Sequence, residues 1–204
     1  MIELEVTSLY KHFGKENVLS DLNFSTKSTI IGIAGVNGSG KSTLLRCLSG
    51  LLKVSRGEIN WKMDDKKLTK SELRHHSGYA APYVELYEEL TVVENLNFIL
   101  KLRSIENSNG SITEETLKEA NALKLSDQYY GDLSTGQRQR IKLVSALLHK
   151  PNILFLDEPG SNLDAAGRDL IEKIINRYRV PNHIVVLASN LEQELQLCDQ
   201  IIEL

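Results

Sequence analysis

Cysteine is scarce in this 204-residue chain: Cys47 and Cys198 are its whole complement, far apart and without metal-ligand spacing. Both fall in apolar helical contexts, which predicts buried free thiols in a reducing compartment rather than a disulfide framework. Long apolar runs are missing too, and no stretch approaches the roughly 18–20 residues that a membrane span requires. The opening Met1-Ile2-Glu3-Leu4-Glu5-Val6 lacks a basic segment followed by an apolar one, so no signal peptide is expected. Nor is there an excess of positive charge. Lys and Arg number 24 against 27 Asp and Glu, and the net charge of −3 argues against a nucleic-acid partner. No internal repeat, low-complexity tract or interdomain linker interrupts the sequence. With 41% hydrophobic and 25% charged residues, the composition is that of a globular, cytosolic domain with a substantial core.

Apolar patterning predicts strands at Ile2–Val6, Val18–Ser25, Ser28–Ala34, Gly57–Lys62, Ile153–Asp157, His183–Ala188 and Gln200–Leu204. Helices are expected at Lys41–Ser49, Val92–Arg103, Ile112–Leu123, Gly136–His149 and Asp164–Arg177. Alternating strands and helices point to an α/β domain with a mostly parallel central sheet. The early strands form an antiparallel flank. Strands vanish from about Pro82 to Asp132, so a helical lobe (about 82–132, with a polar turn at Ser104–Ser111) is expected as an insertion into a core of 1–81 and 133–204.

The most informative stretch is Gly35-Val36-Asn37-Gly38-Ser39-Gly40-Lys41-Ser42-Thr43, which fits G-x-x-x-x-G-K-[ST] between a buried strand and a helix. Glycines let the backbone turn tightly and approach phosphates, and successive amides with the helix dipole create an anion cradle. Lys41 would reach the β- and γ-phosphates, and the Ser42 hydroxyl would hold Mg²⁺. Ile153-Leu154-Phe155-Leu156-Asp157-Glu158 then delivers two acids at the end of a buried strand. Taken alone, it could be a strand ending in a solvated acidic turn. Paired with the phosphate loop, Asp157 is expected to orient Mg²⁺ and Glu158 to polarise a water for attack on the γ-phosphate.

Leu133-Ser134-Thr135-Gly136-Gln137 precedes this strand, ahead of a basic amphipathic helix. In this order the three motifs resemble the ATP-binding-cassette (ABC) ATPases: Walker A at 35–43, an LSGGQ-type signature at 133–137 and Walker B at 153–158. Ser161-Asn162-Leu163-Asp164 resembles the family's D-loop, and Leu86–Leu96 its helical-lobe motif, so the resemblance covers almost the whole chain. It implies a P-loop NTPase fold, RecA-like with a mostly parallel sheet, an antiparallel β flank and an inserted helical lobe. It implies ATP and Mg²⁺ as ligands, and two cassettes (a homodimer or a heterodimer) docked head to tail. Each ATP would lie between one subunit's P-loop and the Ser134, Gly136 and Gln137 of the other. Phe13 matches the aromatic that stacks on adenine, with Tyr10 as a rival. A separate transmembrane permease subunit would provide the only link to the membrane, with the cassette on its inner, cytoplasmic face and docked near Pro82–Leu96.

The chain departs from the family pattern at identifiable places. Aligning Gly78–Tyr83 with the family's GY-x-x-Q sets Pro82 where a glutamine usually senses the γ-phosphate, and proline offers neither a side-chain oxygen nor an N–H. Asn190 takes the place of the switch histidine; it can hydrogen-bond phosphate but carries no proton. Thr135 replaces the first signature glycine. Slow turnover is therefore expected, with Glu158 and Asn190 as the catalytic pair. A non-transport ABC ATPase acting on an envelope complex and a weakly hydrolysing regulatory cassette stay open as alternatives. His75 and His76 are expected to be a solvated pair, Trp61 to pack in the flank, and His149 to be a cation favoured by its helix end.

Overall fold

The chain's fluctuation between apolar and polar residues resolves into two sheets and a set of helices in a computed structural model that describes residues 1–107, 110–161 and 163–204. Their order is β1 (Ile2–Phe13), β2 (Glu16–Thr26), β3 (Ile30–Ala34), α1 (Lys41–Leu48), β4 (Arg56–Met63), β5 (Lys66–Lys67), α2 (Lys70–His76), β6 (Ser77–Ala80), α3 (Val92–Leu102), α4 (Ser111–Glu119), α5 (Thr135–Leu147), β7 (Ile153–Asp157), α6 (Ala165–Arg177), β8 (Ile184–Ala188), α7 (Glu192–Leu195) and β9 (Gln200–Glu203). Single 3-10 turns lie at Leu123–Leu125 and Tyr130–Asp132.

The central sheet has five strands in the order β6-β7-β8-β3-β9, with every neighbouring pair parallel. Its inner strands are covered on both faces, which is why Ile-Leu-Phe-Leu-Asp and Ile-Val-Val-Leu-Ala read as unbroken apolar runs. Side chains still alternate between the faces. Leu154, Leu156, Val185 and Leu187 face a core built with α3, α5 and α6. Ile153, Phe155, Ile184 and Val186 face a second core built with α1 and the antiparallel sheet β2-β1-β4-β5. Trp61 on β4 joins that second core: it is buried, its indole N–H donates to Leu48 O at 2.9 Å, and its ring meets Phe155 edge-on at 5.8 Å.

Several elements extend beyond their expected limits or were not anticipated. β1 continues past Val6 to Phe13. Ser8, at φ 44°, bulges out of the pairing with β2, and the strand resumes as a polar ribbon that apolar alternation does not mark. The Ser8 bulge presses on Gly57, where a Cβ would come within 2.1 Å of Ser8 O. α2 buries only Leu73, so it lacks an apolar stripe; its start is a capping box in which Thr69 and Glu72 bond each other's backbone. The Ser104–Ser111 turn is only partly visible, because Ser108 and Asn109 lie outside the described residues.

Between β6 and α5 the described residues form no strand, only a single bridge from Thr91 to Tyr129. Buried Asn95 holds the loop that leads into α3: its Nδ2 donates to the carbonyls of Tyr87, Leu90 and Thr91, and its Oδ1 accepts from Tyr87 N. α3 is capped by the Thr91–Glu94 box. Among the described residues, no helix is long and apolar enough to cross a membrane.

The cysteines and histidines follow their surroundings. Cys47 is buried and Cys198 half-buried, both as free thiols pushed up to about 11 by burial. His75 is exposed, whereas His76 is half-buried and bonds Asn152 Oδ1 at 3.0 Å. His149 corrects an expectation. It is neutral, not a helix-end cation, because burial and then the nearby Arg103 charge pull it down to about 4. Its Nε2–H donates to Ser77 O at 2.9 Å, and its Nδ1 is buried without a partner.

Truncating Trp61→Ala should destabilise the fold by about 3–5 kcal/mol, the range for removing a large buried aromatic. A urea-unfolding loss below about 1 kcal/mol would show that the two sheets do not depend on this residue. For His149, the unfolded chain takes up a proton that the folded chain refuses, so stability should fall as pH drops from 6.5 towards about 4. The midpoint of urea unfolding across that interval should fall less steeply in His149→Gln than in the wild type.

Candidate functional site

In the parallel sheet, Ile33 pairs with Ala188 and Asp157 pairs with Ala188 from the other side. The carboxyl ends of β3, β8 and β7 therefore lie side by side, as in open α/β sheets that bind ligands beyond their strand ends. The loop after β3 carries Gly35–Gly40, that after β7 carries Glu158–Gly160, and that after β8 carries Ser189 and Asn190.

The Gly35–Gly40 loop adopts the left-handed turns its glycines permit. Gly35, Gly38 and Gly40 have φ of 152°, 86° and 105°. A Cβ on Gly35 would come within 2.5 Å of Ser39 Oγ and 2.9 Å of Leu204 O, so only glycine closes this corner. Gly38, in contrast, faces open space, with nothing within 4 Å of a Cβ position. Val36 at the loop's tip is 77% exposed.

Gly40 caps α1 without a side-chain hydrogen bond, and Leu44 N is the first amide of the helix to bond back, to Gly40 O at 2.8 Å. The amides of Lys41, Ser42 and Thr43 are thus the donors that a helix start leaves unmatched. Lys41 is itself buried, with Nζ donating to Gly35 O at 2.8 Å and Val36 O at 3.1 Å, a cation curled over the loop it would share with phosphate. Ser39 Oγ is buried without a hydrogen-bond partner. Unmatched amides, an orphan hydroxyl and a cation on one glycine-rich loop fit a polyphosphate.

Asp157, 1% exposed, ends β7 facing this loop. Ser42 Oγ donates to its Oδ1 at 2.9 Å and Tyr83 Oη to its Oδ2 at 3.2 Å. Burial pushes the Asp157 carboxyl up; the two hydroxyl donors pull it back, and Glu158 adds to the upward push. Hydroxyl and carboxylate oxygens are hard donors suited to Mg²⁺, which uses one or two protein ligands alongside phosphate oxygens and water. The described residues contain no cluster of three or more His, Cys, Asp or Glu able to hold a metal unaided. The donor set fits Mg²⁺ arriving with a nucleotide.

Glu158 follows at φ 44°, a left-handed backbone that costs a non-glycine residue about 1 kcal/mol and turns its side chain out of the strand line. Its amide donates to Ala188 O at 2.8 Å, tying the two loops together. Asn190 lies across the mouth, its Nδ2 donating to Asn37 Oδ1 at 3.2 Å. Behind this loop stands buried Glu194, whose carboxyl burial pushes up; a Cβ on Gly160 would come within 2.1 Å of its Oε1.

The signature residues form their own surface. Ser134 caps α5, accepting from Gln137 N at 3.3 Å, while Gln137 Oε1 accepts from Ser134 N at 2.9 Å. The Ser134 hydroxyl proton and the Gly136 amide remain at the helix start, and the Gln137 carbonyl oxygen is committed to the cap. These residues line a shallow cleft with Leu163 and Asp164. Asp164 caps α6 through Gly167 N at 2.8 Å; Asn162, in the expected D-loop, lies outside the described residues. Phe13 is exposed near the turn of the β1–β2 hairpin, with Lys11 Nζ 4.7 Å from its ring centroid. Pro82 sends its carbonyl to Lys142 Nζ at 2.5 Å, away from Asp157.

The sequence matches the family described as "ABC transporter" over residues 19–161. The chain belongs to the ABC transporter family. The cassette is 32% identical over 98% of its length to the sulfate/thiosulfate import ATP-binding protein CysA of Nitrosomonas europaea. It is also 32% identical over 97% of its length to the probable multidrug ABC transporter ATP-binding protein YbhF of Escherichia coli. It spans 57% of the first relative and 35% of the second. Among solved structures, it resembles the ATP-binding cassette MJ0796 in a dimeric post-hydrolysis state bound to ADP and Pi. That match has a TM-score of 0.85 and 25% identity, and covers 98% of this chain and 94% of the other. The P-loop fold with its parallel and antiparallel sheets, expected from the motif order, is the fold of these cassettes.

Tyr83 and Arg46 were not singled out by motif reading. Arg46 follows Ser42 by one helical turn and stacks over the Tyr83 ring at 4.9 Å. The signal was available in the i, i+4 spacing on α1. Replacing Lys41 by alanine should weaken MgATP binding about 10- to 100-fold, since hydrogen bonds to charged groups contribute about 1.5–3 kcal/mol. Titration with a fluorescent ATP analogue measures this; unchanged affinity would remove Lys41 from the phosphate site.

Proposed function

We propose that this cassette binds and hydrolyses MgATP as the energising subunit of a transporter, working with a separate transmembrane permease subunit. The observation that carries the reading is the meeting of Lys41, Ser42, Asp157 and Asn190 around one loop whose helix start is uncapped, with Glu158 next in the chain after Asp157. The family membership and the CysA and YbhF relatives support the transport setting.

In this mechanism the amides of Lys41, Ser42 and Thr43 and the Lys41 ammonium take the phosphates, and Phe13 covers the adenine. Ser42 and Asp157 would hold Mg²⁺. When bound, Mg²⁺ neutralises phosphate charge and orients the γ-phosphate. The Glu158 carboxylate, swung out by its left-handed backbone, accepts a proton from the attacking water. Asn190 holds the γ-phosphate by its amide, without the charge or proton of a histidine, so hydrolysis is slow.

Ser134, the Gly136 amide and Gln137 share no hydrogen bond with the P-loop of their own chain among the described residues. The dimeric MJ0796 relative supports a second cassette, identical or related, bringing its signature to the phosphate across an interface. Removal of the γ-phosphate then removes the contact. Residues 82–96 are the proposed docking face for the permease. Tyr87 is exposed there with its ring edge-on to Phe98 at 5.4 Å, an apolar surface beside the lobe's first helix. The cassette would sit on the cytoplasmic face, reaching the membrane only through that partner.

The weakly hydrolysing regulatory cassette remains a second reading, favoured by Pro82 turning its carbonyl to Lys142 and by Asn190. Steady-state MgATPase of the cassette with its membrane partner decides between them. Glu158→Gln should lower turnover about 100-fold or more, as expected for loss of a general base, and accumulate an ATP-bound dimer on size-exclusion chromatography. Wild-type turnover no higher than that of Glu158→Gln would support the regulatory reading.

A further inference from the structure

We propose that Tyr83 is a positioning residue for the metal-holding carboxylate of Asp157, placed there by the neighbouring Pro82. The proposal rests on the ATP-binding reading above and names a residue of that same site.

The two oxygens of Asp157 are gripped from opposite elements. Ser42, on the helix after the P-loop, donates to Oδ1 at 2.9 Å, and Tyr83, in the segment after β6, donates to Oδ2 at 3.2 Å. A carboxylate held at both oxygens cannot rotate about its Cβ–Cγ bond, so its remaining lone pairs keep one direction. Ser42 alone would fix one oxygen and leave the other to swing.

Tyr83 is aimed by its contacts rather than by burial, for 48% of it is exposed. Its hydroxyl also bonds the Tyr79 hydroxyl, anchored at the end of β6, and Arg46 stacks on its ring at 4.9 Å. Arg46 stands one turn beyond Ser42 on α1, so one helix supplies both the serine at one carboxylate oxygen and the cation that seats the tyrosine at the other.

The adjacent proline makes this arrangement possible. Pro82 has a fixed φ and no N–H, and its carbonyl is committed to Lys142 Nζ at 2.5 Å, which also bonds Glu85 at 2.7 Å. That anchor ties the backbone to α5 just before the tyrosine side chain turns back towards β7. The position that carries no side-chain donor is thus followed by one whose donor reaches the acid directly.

The test uses the full chain and a readout independent of turnover: the Mg²⁺ dependence of binding to a fluorescent ATP analogue, compared between wild type and Tyr83→Phe. Phenylalanine keeps the ring over Arg46 and removes only the hydroxyl. The half-saturating Mg²⁺ concentration should rise about tenfold, the usual cost of losing a hydrogen bond behind a metal ligand. Analogue binding without Mg²⁺ should stay at the wild-type value, while the thermal midpoint falls by a few degrees because Asp157 loses one of its two donors. Equal Mg²⁺ dependence in the two proteins overturns the proposal. So does a variant whose metal-free binding falls in step with its metal-dependent binding, because that marks a general packing role. Tyr83→Leu, which also lacks the hydroxyl at this half-exposed position, is read in the same way if the phenylalanine variant does not fold. A wild type that binds the analogue neither with nor without Mg²⁺ overturns the ATP-binding reading itself, and this proposal with it.

Discussion

A nearly fully buried carboxylate at the end of a central strand is the constraint around which this cassette is organised. Asp157 cannot sit unpartnered in an apolar sheet without a large desolvation penalty, so each element that reaches it must bring a donor. α1 brings Ser42 and the chain after β6 brings Tyr83. Those two donors come from opposite sides of the strand end, so satisfying one acid also sets the spacing between the phosphate loop and the start of the helical segment. A packing requirement and a binding geometry are here the same requirement.

The sheet that delivers the acid is stiff because it is filled from both faces. Phe155 belongs to the core shared with the antiparallel sheet, and Leu154 and Leu156 to the core shared with α3, α5 and α6. Trp61 extends the first of these by bonding the last carbonyl of α1 while touching Phe155. The helix that starts at the phosphate loop therefore ends on a residue of the neighbouring sheet, and a shift at either end is felt by both.

Much of this was legible in the sequence where a local rule and burial agreed. β7 matches its expected limits, Ile153–Asp157, because a strand covered on both faces has no polar alternation to confuse its ends. The glycine turns of the P-loop and the nearness of Ser42 to Asp157 were legible because residue type and spacing mark them locally. Asn190, aligned with the switch histidine, donates to Asn37 of the phosphate loop. What escaped reading lacked such local marks. α2 buries one leucine and is held by its cap, and the last turns of β1 are polar because they form an exposed ribbon. Tyr83 acts on a residue 74 positions away, through a hydroxyl whose direction depends on Arg46, Tyr79 and the path of Pro82 together. His149 differs for a related reason: partial burial and the Arg103 charge beside it outweigh both the helix end and the Ser77 carbonyl that would favour a cation.

The uncapped start of α1 has one more consequence. α2, α3, α5 and α6 complete their first turns with their own serine, threonine or aspartate, whereas α1, which begins at a glycine, leaves its leading amides open to a ligand. Whatever anion settles there finishes a piece of secondary structure. Occupancy and local folding are thus linked thermodynamically, and the ordering of the first turn of α1 should follow nucleotide concentration by mass action. The cell's supply of nucleotide becomes, in effect, a component of the protein's own architecture.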